Sequence, residues 1–92
     1  MQSKNKPAMS QAERAHVERV RALPCSVCDV PGPSEAHEPD QGLWFVVCAL
    51  CPDCHRGSRN GWHGQRFIWN LKKMAELDAI AVTVKRLMEQ RA

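Results

Sequence analysis

Residues 51–57 read Cys51-Pro52-Asp53-Cys54-His55-Arg56-Gly57, and a matching pair stands upstream in Cys25-Ser26-Val27-Cys28, with residues 29–50 between. A C-x-x-C turn presents two thiolates on the same side of a tight knuckle, and two knuckles complete the tetrahedral sulfur shell that Zn2+ prefers. Pro24 and Pro52 stiffen the two turns. The expected ligands of a structural zinc are therefore Cys25, Cys28, Cys51 and Cys54. Such a site contributes folding free energy directly, which suits a chain of 92 residues with three Trp, two Phe and no Tyr.

Other uses of these cysteines fit less well. Cys51 to His55 also matches C-x-x-C-H, the pattern of c-type haem attachment, but haem would leave Cys25 and Cys28 unexplained. A thioredoxin-like redox pair would need a βαβ context that this chain lacks. The fifth cysteine, Cys48, sits in an apolar run and reads as a buried small hydrophobe; a ligand role in place of Cys51 is the alternative. An odd number of cysteines argues against a closed disulfide framework. The first twenty residues carry Lys4, Lys6, Glu13, Arg14, Glu18 and Arg19 with no apolar core of a leader. The longest apolar run, 43–51, is too short for a membrane helix. A cytoplasmic chain with reduced thiols and no membrane partner is expected.

Outward from the knuckles, the pattern predicts a small α+β domain over residues 10–92, preceded by a polar, disordered stretch over 1–9. Ser10 and Glu13 form an S-x-x-E capping box that opens a helix with Ala12, Ala15, Val17, Val20 and Leu23 on its weak apolar face. Pro24 ends this helix near Leu23. Residues 34–37 suit a short strand, and residues 43–49 are the strongest strand segment in the chain. The glycines and Asn60 between Cys51 and Gly64 read as loop. From Gln65 the spacing turns helical, as one long helix or two with a bend. Phe67, Leu71 and Met74 share a face; Leu77, Ile80, Ala81, Val84, Leu87 and Met88 then repeat at three and four, a core-packing stripe.

Three of the four histidines fall near the knuckles. His55 follows the second pair directly, His63 comes eight residues later, and His37 lies in Glu35-Ala36-His37-Glu38-Pro39. His16 is placed on the first helix with no assigned role. Three imidazoles gathered by a zinc-stapled hairpin can bind a second divalent metal, Mg2+, Mn2+ or Zn2+, with coordination positions left open. Charge is segregated as well. Residues 22–55 carry Asp29, Glu35, Glu38, Asp40 and Asp53 without a Lys or Arg, whereas residues 55–75 carry Arg56, Arg59, Arg66, Lys72 and Lys73 without an Asp or Glu. An acidic stretch beside a basic one suits a metal site next to a phosphate-binding surface; two solvated faces of opposite sign is the plainer reading.

At these residues the chain resembles the HNH, or ββα-metal, nucleases that carry an additional two-knuckle zinc site, and among them the phage recombination-enhancement nucleases that depend on RecA. Glu35-Ala36-His37-Glu38-Pro39 resembles the family's E-x-H-H-P. Cys51 to Gly57 resembles L-C-x-x-C-H-x-G, Asn60-Gly61-Trp62-His63-Gly64 resembles G-x-H-G, and the helical tail with Glu76-Leu77 follows in the same order. The resemblance covers about residues 14 to 90. It implies a zinc-stapled ββα-metal core with an N-terminal helix and a C-terminal helical region, in which His37, His55 and His63 are ligands of the catalytic metal and Glu35 supports a neighbouring side chain. Glu38 stands where the family has its second histidine, the general base. An ordinary carboxylate, with a pKa of about 4.3, is a weaker base than imidazole near neutrality. In a shifted register His37 would be the base and Asp40 would supply an oxygen.

The implied activity is metal-dependent hydrolysis of DNA phosphodiesters in phage or prophage recombination or DNA processing. The alternative is a degenerate module of the same shape that binds DNA or a recombination protein. Arg56, Arg59, Arg66, Lys72 and Lys73 would contact backbone phosphates, and Trp62 is open to stacking on a base or to packing in the core. DNA is the expected partner, with a recombinase filament such as RecA beside it, for a monomer or homodimer.

Overall fold

The computed structural model describes residues 8–90; among them, four helices and one two-stranded sheet form. The expected disorder of residues 1–9 lies outside the described residues, apart from Ala8 and Met9, which are irregular. Helix α1 spans Gln11–Arg21 and starts on the expected capping box. The amide of Glu13 donates to Ser10 Oγ at 3.1 Å, and the amide of Ser10 donates to Glu13 Oε1 at 2.7 Å.

Strand β1, Glu35–His37, pairs antiparallel with β2, Cys48–Leu50, in the register Glu35↔Leu50, Ala36↔Ala49 and His37↔Cys48. Side chains alternate across a strand, so this register sorts the sheet into two faces. Ala36 and Ala49 turn toward α1, joining Val20, Leu23, Val47 and Leu87. Cys48 and Leu50 turn the other way, joining Cys25, Val27, Cys51, Cys54, Trp69 and Ala79. Glu35 and His37 share that second side.

The second strand is shorter than the apolar run suggests. Residues 43–47 form turns and bends, and Leu43, Phe45 and Val46 are exposed. With only three residues in β1, there is no partner for a longer ladder. The other edge of β2 is closed by polar groups. Ser26 donates its amide to the Ala49 carbonyl at 2.9 Å, and Ala49 donates its own to Thr83 Oγ1 at 3.1 Å.

Residues 51–56 are not loop throughout. Pro52–Arg56 is a short helix, α2, with Cys51 as its N-cap and Pro52 in its first turn, a position proline tolerates because no backbone donor is lost there. The C-terminal region is two helices, α3 over Phe67–Leu71 and α4 over Glu76–Gln90. The bend falls at Lys73, whose φ of 57° is left-handed. Asp78 caps the restart by accepting the amide of Ala75 at 2.8 Å. Of the predicted stripe, α4 buries Leu87 and packs Ile80 against the core, while Leu77, Val84 and Met88 are exposed; Ala79 and Thr83 complete the buried face. Small Ala79 and Thr83 let the helix approach β2 closely, and Thr83 supplies the hydroxyl that the strand edge needs.

Candidate metal centres

Among the described residues, two clusters of side chains could hold a metal ion, and α2 belongs to both. The Sγ atoms of Cys25, Cys28, Cys51 and Cys54 all lie within 4.8 Å of one another, and Cys28 Sγ is 3.7 Å from Cys51 Sγ. Four sulfurs about 2.3 Å from a tetrahedral ion stand about 3.8 Å apart, so the donor set fits a metal ion such as zinc. The amide of Val27 donates to Cys25 Sγ at 3.4 Å and that of Cys54 to Cys51 Sγ at 3.4 Å, so each knuckle turns one backbone dipole onto a sulfur. None of the five cysteines is in a disulfide.

The thiols are tuned unevenly. Burial pushes Cys51 up to about 11 and raises Cys54 further. At Cys25 burial also acts upward, but amide groups of Cys28, Cys51 and Val27 outweigh it and hold the thiol below its ordinary value. A divalent cation among the four sulfurs would deprotonate them all. Cys48 is outside this cluster. It is fully buried, and burial, followed by the charges of Glu76 and Cys25, pushes it up to about 12, as befits an inert core thiol.

His37, His55 and His63 form the second cluster, with donor nitrogens again all within 4.8 Å. Their ring centroids are 5.0 to 5.1 Å apart. Each arrives by a different route. His37 ends β1, and His55 sits in the last turn of α2. His63 is held by main chain: its amide donates to the His55 carbonyl at 3.2 Å, while the neighbouring Trp62 amide donates to the Cys54 carbonyl at 2.9 Å. Gly61 permits this folding-back, because a Cβ there would lie 2.5 Å from the carbonyl oxygen of Gly57. The cluster grades from buried His37 through half-buried His55 to exposed His63, so it opens to solvent on the His63 side.

Hydrogen bonding assigns the ring tautomers. His55 Nδ1 donates to Glu35 Oε1 at 2.7 Å, and His37 Nε2 donates to Glu76 Oε2 at 2.6 Å. In neutral rings the remaining nitrogens, His37 Nδ1 and His55 Nε2, then face each other without a proton at 3.2 Å. Two lone pairs at that distance repel, and a cation between them turns the repulsion into coordination. Imidazole nitrogens about 2.0–2.1 Å from a tetrahedral ion stand about 3.3 Å apart, so the geometry fits. A carboxylate behind a ligating histidine is the usual support of such a site.

Glu35 is doubly used. It also accepts from Arg56, at 3.0 Å from Nε and 2.5 Å from Nη2. Arg56 draws the Glu35 carboxyl below its ordinary value, against burial and with help from His55. Glu38 does not join the histidines; its Oε1 accepts the amide of Gly42 at 3.2 Å. Asp40 is exposed just beyond it.

The expected phosphate contacts are all exposed, but four of them already have partners within the chain. Arg56 is committed to Glu35, and Arg59 lies 4.1 Å over the Phe67 ring. Arg66 lies 3.7 Å over Trp62 and donates to its carbonyl, and Lys72 Nζ donates to the Val27 carbonyl. Lys73 occupies the bend before α4. Trp62 packs against Trp69, centroids 4.7 Å apart, so the packing role is the one it takes here. Two residues of consequence had no site role assigned from the sequence: Glu76, which entered only with the helical tail of the resemblance and stands 39 positions from its partner His37, and Trp69, fully buried and donating its indole N–H to the Cys54 carbonyl at 2.9 Å. Pairings this distant leave no local trace in a sequence. Comparison with protein-family models, curated proteins and solved structures returns no match. No helix among the described residues is long and apolar enough to cross a membrane.

Proposed function

We propose that this chain is a metal-dependent DNA endonuclease of the HNH type, stapled by zinc on Cys25, Cys28, Cys51 and Cys54. The observation that carries the reading is the convergence of His37 Nδ1 and His55 Nε2 at 3.2 Å, with each ring's other nitrogen held by a carboxylate and His63 completing the group. Strand, strand and short helix in succession, with a histidine on the first strand and another on the helix, support the ββα-metal assignment. Three histidine ligands with an open, solvent-facing side are the donor set of a catalytic rather than a structural ion.

A divalent ion held there would stabilise charge developing on the scissile phosphate and on the leaving oxygen. The chain's own residues do the rest. Glu35 and Glu76 orient the ligating rings, and Arg56 holds Glu35. Arg59, Arg66 and Lys73 stand on the basic segment that follows, where backbone phosphates are attracted without base readout and with strong dependence on salt. A recombinase filament remains the proposed source of targeting, with DNA as substrate.

One observation favours a second reading, in which the module binds DNA without cutting it. Glu38, at the position of the family's general base, gives a carboxylate oxygen to the Gly42 amide. The two readings separate in a nicking assay on supercoiled plasmid with Mg2+ or Mn2+. The first expects nicking by the wild type that His55→Ala abolishes. Absence of cleavage with every divalent metal, on duplex, single-stranded and recombinase-coated DNA, sinks it. Activity gained only in Glu38→His supports the second.

A further inference from the structure

Glu76 is the one carboxylate that α4 sends into the histidine cluster. It sits in the first turn of that helix, and its Oε2 is 2.6 Å from His37 Nε2. His37 is nearly sealed from water, its side chain 5% exposed, whereas that of Glu76 is 28% exposed. A buried neutral imidazole must choose which nitrogen carries its proton, and the partner of one nitrogen decides the state of the other. At His55 the partner is Glu35 on Nδ1, which leaves Nε2 bare. At His37 the partner is on the opposite nitrogen, which leaves Nδ1 bare. The two rings thus need opposite tautomers to aim at one point, and two carboxylates from different parts of the chain supply them.

On the reading of His37, His55 and His63 as a metal centre, we propose that Glu76 is the positioning residue of His37: it holds the ring as the Nε2–H tautomer and so presents Nδ1 to the ion. Glu76 also links that choice to the seating of α4, since Ala79 and Thr83, one and two turns further on, are the residues that pack this helix on the sheet. A helix seated differently would withdraw the carboxylate and release His37 to the other tautomer. Positioning groups of this kind are worth about 10- to 100-fold in metal affinity.

The test uses the full chain loaded with one equivalent of Zn2+ and compares wild type, Glu76→Gln and Glu76→Ala. Nitrogen-15 NMR of the imidazole rings reads the His37 tautomer before any second metal is added. Titration with Co2+ then reads the affinity of the histidine cluster. The wild type is expected to show His37 protonated on Nε2. Glu76→Ala is expected to populate the Nδ1–H form and to bind Co2+ about 10- to 100-fold more weakly. Glu76→Gln keeps an acceptor at the same place and is expected to retain the tautomer with a smaller loss, which also covers the case in which the alanine variant fails to fold. A merely structural role would leave the tautomer unchanged. If His37 remains Nε2–H in Glu76→Ala, or if the wild type is Nδ1–H, the proposal is overturned. If the wild type binds no Co2+ at the cluster, the metal reading fails, while the tautomer comparison still decides for or against Glu76.

Discussion

At the scale of single residues, the histidine cluster depends on positions that carry no chemistry of their own. Gly61 is buried where the chain folds back on the end of α2, and its amide donates to the Gly57 carbonyl at 2.9 Å. A methyl group there would meet backbone rather than a yielding side chain. Gly61→Ala is therefore expected to cost about 1–3 kcal/mol, read from urea unfolding, and to displace His63 from the cluster. Stability within error of wild type would contradict this. His16 offers a pH test at a residue that belongs to neither cluster. Burial, with a smaller push from the charge of Arg19, holds it below its ordinary value of 6.5 against a hydrogen bond with the Phe45 backbone. The folded chain thus binds this proton less readily than the unfolded chain. The resulting stability is complete above the ordinary value and falls as pH drops through it toward the folded one. Between about pH 7 and pH 5 the wild type is expected to lose more stability than His16→Asn, read from their unfolding midpoints; equal losses would contradict this. The cysteines and histidines of the two clusters stood out in the sequence because each lies in a short motif of its own. Their supports did not: Glu76 reaches His37 and Trp69 reaches Cys54 only through the fold.

At the scale of elements, the capping box of α1 was legible because Ser10 and Glu13 lie within one turn and make both bonds to each other. The extent of β2 was not. Residues 43–47 have the composition of a strand, but a ladder needs a partner, and β1 offers three residues. The short helix α2 was hidden by its own first turn, since Pro52 and Asp53 serve a helix start as well as a loop. The rotation of α4 was decided by Thr83. Its hydroxyl accepts the Ala49 amide, donates to the Ala79 carbonyl and lies 2.8 Å from Ser26 Oγ, which draws a polar residue into the core and turns Leu77 and Met88 outward. Periodicity finds that a helix has a face; the hydrogen-bonding needs of the strand beside it select which one.

At the scale of the whole molecule, the sulfur cluster and the histidine cluster share one short helix. Cys51 caps α2, Cys54 lies inside it and His55 follows, so whatever orders the sulfur cluster also orders His55 directly and His63 through the His55 carbonyl. The zinc proposed for the cysteines is thus a staple, and function is assigned to the site that it steadies. Metal content per chain, measured by elemental analysis of the wild type and of His37→Ala, His55→Ala and His63→Ala after equilibration with excess Zn2+ and desalting, tests this most directly. The account predicts two ions in the wild type and one in each variant, the remaining ion being removed only by a strong chelator, with loss of the fold. One ion per chain in all four proteins would contradict it.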